Sequence, residues 1–73
     1  MTFSEAVKMI RKKRFLSQEA FAKVLGVSFT TVNRWETKRT MPTYRTLKCL
    51  NDYCQNNGID IDLSELLLEE SVN

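Results

Sequence analysis

The stretch from Leu16 to Glu36, LSQEAFAKVLGVSFTTVNRWE, decides how this chain folds. Ser17 stands directly before a run in which Ala20, Phe21, Val24 and Leu25 recur at helical spacing. A serine there can accept a hydrogen bond from one of the unpaired amides that open a helix, and Glu19 suits the positive end of the dipole. Gly26 ends the run, because glycine takes the left-handed conformation of a helix stop without a steric penalty. Val27 crosses the turn and Ser28 caps the next helix, Phe29 to about Glu36. Only three residues separate the two helices, and Ala22 is small where they approach. A turn that tight predicts a crossed helix pair rather than an open hairpin. A large side chain at Ala22 or Gly26 would push the helices apart.

The second helix of this pair has two unlike faces. At about 100° per residue, Ser28, Val32 and Trp35 share one narrow stripe, which turns Val32 and Trp35 to the core. Trp35 is therefore core rather than a stacking platform. The opposite face carries Thr30, Asn33, Arg34 and Thr37, with Phe29 on its flank. It holds hydrogen-bonding groups and a guanidinium, and no carboxylate. Glu36 lies close to the buried stripe instead. An acid-free polar face beside Lys38 and Arg39 fits a groove of acceptors and phosphates.

The flanking sequence adds three further helices. Thr2-x-x-Glu5 is a capping box that opens the first, with Phe3, Ala6, Val7 and Ile10 on one face. It ends near Lys13 or Arg14, where the run Arg11-Lys12-Lys13-Arg14 suits the negative end of the dipole. Thr37 to Pro42 reads as a loop. Thr43 opens a fourth helix with Leu47, Leu50 and Cys54 inward, and Asn56-Asn57-Gly58 closes it. Tyr44 and Tyr53 are expected at the edge of the core. Asp62-x-x-Glu65 is a second capping box, opening a fifth helix through Leu63, Leu66 and Leu67. No run alternates like a strand. The expected fold is all-α, five helices in one domain over residues 1–73, with the helix-turn-helix unit at about 17–37.

Composition narrows the function. Seventy-three residues make one small domain. Cys49 and Cys54 fit neither zinc-ligand spacing nor a disulfide framework, so two reduced, core-lining thiols are expected. Without histidine, a glycine-rich phosphate loop or a carboxylate pair in an apolar stretch, neither a metal, a cofactor nor an enzyme is expected. Glu5 and Lys8 interrupt any signal-like stretch and nothing is long enough to span a bilayer, which predicts a cytoplasmic protein with no membrane partner.

The formal charge of +2 conceals a division. Met1 to Lys48 holds all eleven basic residues and three acids, net +8; Cys49 to Asn73 holds six acids and no base, net −6. Such asymmetry points to a polyanion on one side. It would also orient the molecule on approach.

Leu16-Ser17-Gln18-Glu19-Ala20-Phe21-Ala22, then Leu25-Gly26-Val27-Ser28 and Val32-Asn33-Arg34-Trp35-Glu36, closely resemble the lambda-repressor-like, or Cro/XRE-type, helix-turn-helix family. The similarity runs from Phe3 to about Leu67. It implies a compact five-helix DNA-binding domain whose third helix reads the major groove, usually as a homodimer on an inverted repeat. By this resemblance Phe29, Thr30 and Arg34 match base-reading positions, with Asn33 a further candidate. Gln18 matches a phosphate-contacting glutamine. Ser28, Thr37, Lys38, Arg39 and Thr43 fall where the family touches the DNA backbone. Arg11 and Glu36 match an internal salt bridge. Two departures stand out: Lys38 occupies a place usually held by glycine, and Phe15 another, which leaves open a different exit from the first helix.

Ile59, Ile61, Leu63, Leu66, Leu67 and Leu68 are more apolar side chains than one short helix buries against a small core. Residues 59–70 either close the bottom of the bundle or form a two-fold interface, with Ile61, Leu63, Leu66 and Leu67 as the candidates. The expected function is sequence-specific binding of double-stranded DNA to regulate transcription, as a repressor. The alternative is an antitoxin-type module that binds a protein partner through its C-terminal helix and represses its own promoter.

Overall fold

The computed structural model describes residues 2–37, 43–61 and 63. Among them are four helices, α1 (Phe3–Lys13), α2 (Gln18–Leu25), α3 (Phe29–Thr37) and α4 (Tyr44–Asn56), and no strand. The predicted fifth helix lies outside the described residues, except for Leu63, which sits in a turn.

Each predicted start is built as its sequence requires. The Thr2 hydroxyl accepts from the Glu5 amide at 3.2 Å, and the Glu5 carboxylate accepts from the Thr2 amide at 2.9 Å. That is a closed capping box. Ser17 Oγ accepts from the Ala20 amide at 3.0 Å, Ser28 Oγ from the Thr31 amide at 3.1 Å, and Thr43 Oγ1 from the Thr46 amide at 3.1 Å.

Three helix ends share one solution. After α2, Gly26 is left-handed at φ 75°, the Gly26 amide donates to Lys23 and the Val27 amide to Ala22. This is a Schellman turn, which satisfies the last carbonyls while reversing the chain. Gly58 at φ 67° does the same after α4, with the Ile59 amide on the Cys54 carbonyl at 2.8 Å. After α1 the left-handed residue is Phe15, at φ 57°, with its amide on Lys12 and that of Leu16 on Arg11. The exit from α1 is therefore the turn a glycine would make, carried out by a phenylalanine.

The first unit, Met1–Thr40, holds α1, α2 and α3, and α3 packs against both of the others. Phe3, Ala6, Val7 and Ile10 of α1, Phe21 and Ala22 of α2, and Val32 and Trp35 of α3 are buried. The Phe3 and Trp35 rings meet edge to face with centroids 6.0 Å apart, the orientation that places a ring edge on a π-face. Ser4 Oγ donates to the Trp35 carbonyl at 2.6 Å, tying α1 to the last turns of α3. Val24 departs from the expected apolar face and stays 55% exposed. Phe21 and Ala22 bracket the inward direction of α2, and Val24 lies about 110° round from it.

The second unit, Met41–Asn73, contains α4, whose Leu47, Leu50 and Cys54 are buried as expected. Two expectations fail in detail. Tyr44 is 78% exposed rather than at the core edge, because it is the first residue of α4 and stands off the Leu47–Leu50–Cys54 stripe. Cys49 is only half-buried, and neither cysteine is in a disulfide among the described residues. Burial pushes the Cys54 thiol above its ordinary value.

Candidate nucleic-acid interface

The outward face of α3 follows from what its inward face must do. Val32, Trp35 and Glu36 are buried, which leaves Phe29, Thr30, Arg34 and Thr37 exposed and Asn33 half-buried. Half of the Phe29 surface is open at the start of the helix. Thr37 Oγ1 donates to the Asn33 carbonyl at 2.7 Å, a bond one turn back along the helix. Ser28 Oγ lies 2.8 Å from Thr31 Oγ1 while capping the helix. The exposed face of α3 has no carboxylate.

Behind that face lies a polar network that crosses all three helices of the first unit. The Arg11 guanidinium grips Glu36 with two hydrogen bonds, Nε to Oε2 at 2.6 Å and Nη2 to Oε1 at 2.8 Å. Its third nitrogen donates to the Leu16 carbonyl at 2.9 Å, which holds the loop between α1 and α2. Gln18 Nε2 donates to Glu36 Oε1 at 3.0 Å, and Asn33 Nδ2 donates to Gln18 Oε1 at 3.1 Å. Glu36 is 5% exposed, so its charge needs these donors. Burial pushes the Glu36 carboxyl up, but the hydrogen bonds from Arg11 and Gln18 and the attraction of Arg11 and Lys8 outweigh it. The net position is below the ordinary glutamate value. The Arg11 guanidinium is pushed up in turn by its bond to Glu36.

The structure thus brings Gln18 and Asn33 together and sets Thr30, Arg34 and Thr37 on one surface, with Ser28 and Phe29 at its N-terminal end. Lys38 and Arg39 lie outside the described residues. Thr43 belongs to the second unit, where it caps α4. Of the candidates for a two-fold interface, Ile61 is half-buried and Leu63 is buried within the single chain, while Leu66 and Leu67 lie outside the described residues. Among the described residues there is no cluster of three metal-ligating side chains, and no helix is long and apolar enough to cross a membrane.

Sequence reasoning anticipated the Arg11–Glu36 pair but not the two bonds that extend it through Gln18 to Asn33. Residues 15 positions apart on different helices carry no periodic signal. Only the crossing of α2 and α3 brings them together.

The description "helix-turn-helix" covers the family whose profile matches residues 7–56, about two-thirds of the chain. Over 72 residues, 99% of its length, the chain is 31% identical to the HTH-type transcriptional activator BcrR of Enterococcus faecalis. It spans only 33% of that relative. No solved structure gives a significant match. With the matched span enclosing α2, the left-handed turn at Gly26 and α3, the chain belongs to the lambda-repressor-like, Cro/XRE-type helix-turn-helix family.

Proposed function

We propose that this chain is a sequence-specific DNA-binding module that regulates transcription by placing α3 in the major groove of duplex DNA. The acid-free outward face of α3 is the observation that carries the reading. Arg34 and Asn33 supply base-directed groups, and Phe29 and Thr30 can meet base edges or thymine methyls near the helix start. Gln18, Ser28, Thr37, Lys38, Arg39 and Thr43 serve the sugar-phosphate backbone. The excess of basic residues in the first 48 positions supplies the non-specific attraction. The partner is an inverted-repeat duplex in the cytoplasm, bound by two copies, and no catalytic step is involved.

Repression by occupying a promoter is the proposed mode, since it needs nothing beyond binding. Activation is the second reading, favoured by the name of the E. faecalis relative. A reporter with the selected site placed over or upstream of a promoter separates the two.

The binding test is selection from a random duplex pool, followed by titration of the winning site at a series of salt concentrations. The expected result is one consensus whose affinity falls steeply with salt as displaced counterions are released. No consensus, a flat salt response or equal preference for RNA overturns the proposal.

A further inference from the structure

The network behind α3 has a direction. An ionised carboxylate only accepts hydrogen bonds, so Glu36, already gripped by Arg11, requires Gln18 to turn its amide nitrogen inward. The Gln18 oxygen is then the atom presented to Asn33, and Asn33 must answer with a nitrogen. Nothing local to Asn33 demands this, since a primary amide can meet a neighbour with either end. The charge on Glu36 decides it two side chains away.

The orientation matters on the outward side. With one N–H given to Gln18, the Asn33 side chain retains a second N–H and its amide oxygen Oδ1, neither with a partner among the described residues. One donor beside one acceptor complements N7 and the N6 amino group of adenine. The reversed amide would offer two N–H groups, which suit the two acceptors of guanine. We infer that Glu36, acting through Gln18, orients the Asn33 amide to read adenine, so that Gln18 is a positioning residue of the interface and not only a backbone contact. This inference rests on the DNA-binding reading above.

The experiment compares the wild-type chain with Asn33→Ala, Gln18→Met and the double variant, each confirmed as folded by a cooperative circular-dichroism melt. Gln18→Met keeps side-chain length and leaves the Arg11–Glu36 pair in place; Gln18→Ala serves if it fails to fold. Each protein is titrated on the selected site and on sites substituted at every position in turn. Wild type should prefer adenine at one position by about tenfold or more. Asn33→Ala should erase that preference and no other. Gln18→Met should weaken it in favour of guanine, because the freed amide can turn either end to the base, and the double variant should match Asn33→Ala. If Gln18→Met weakens all sites alike with the adenine preference intact, Gln18 is a backbone contact alone and the inference is overturned. If Asn33→Ala leaves the consensus unchanged, the inference falls while the DNA-binding reading stands. If wild type binds no duplex, both fall.

Discussion

Glu36 braces the first unit through Arg11 of α1 and Gln18 of α2, and in the reading proposed above it also sets the orientation of the Asn33 amide. Removing one partner of a buried ion pair costs about 3–5 kcal/mol, because the other charge is left unpaired. Glu36→Gln should therefore lower the unfolding free energy at neutral pH by an amount near the bottom of that range. The pH dependence follows from the depressed carboxyl. Its stabilisation is fully present above the unfolded value, about 4.3, and drains away as pH falls through the lower folded value. A protonated Glu36 resembles glutamine, so the stability gap between wild type and Glu36→Gln should narrow as pH drops below about 4. Urea titrations across that range measure it, with Glu5→Gln as control because the Thr2 amide also holds the Glu5 carboxyl low. A gap independent of pH would mean Glu36 is not ionised in the folded chain. On the exposed side, Arg34→Ala should cost about 1–3 kcal/mol on the best site and relax one base position, whereas Lys38→Ala should weaken all sequences alike. Selection from a random pool with each variant separates base contact from backbone contact, and an unchanged consensus for Arg34→Ala would make it the latter.

At the scale of elements, the turns decide how the helices meet, and one of them carries strain. Phe15 adopts the left-handed conformation that costs a residue with a Cβ about 1–2 kcal/mol, and its side chain is 95% exposed, so packing returns little. Arg11 holds the turn in place through the Leu16 carbonyl. Phe15→Gly should relieve the conformation while losing part of the gain to the freer unfolded chain. A net stabilisation of about 0.5–1 kcal/mol is expected, a few degrees in Tm for a domain this small, read from a thermal melt. A lower Tm would show that the ring makes a stabilising contact. This turn also marks where sequence reading stopped. Caps and periodicity located α1 to α4 within a residue or so, because each start has a side-chain acceptor and α2 and α4 stop at a left-handed glycine. Phe15 by its residue type gave no such signal, since phenylalanine is not what that conformation favours, and only the resemblance, with glycine usual there, marked the position. The outward face of α3 was legible because helical geometry alone divides it from Val32 and Trp35. The Gln18–Asn33 bond was not, because it depends on how two helices cross.

For the whole molecule, the open question is whether two copies read one site, and the leucine-rich C-terminal segment is where it turns. Leu63 is already 2% exposed in the single chain, as the core-closing reading expects of that residue. An interface therefore has to rest chiefly on Leu66 and Leu67. Placing Asp at either position puts a charge into whichever apolar contact the segment makes, so some loss is expected in both cases. What is lost differs. With an interface there, Leu66→Asp should remain a cooperatively melting helical monomer that binds one half-site weakly. It would lose its preference for paired half-sites, because the linkage that raises the effective concentration of the second copy has gone. With core closure alone, the same variant should melt much earlier and lose DNA binding in proportion to the unfolded fraction. We propose the interface, since a two-fold pair of α3 helices is what an inverted repeat requires. Light scattering with circular dichroism on Leu66→Asp, free and with a paired-half-site duplex, decides between them. A wild-type chain that stays monomeric in both conditions would leave the segment to the core.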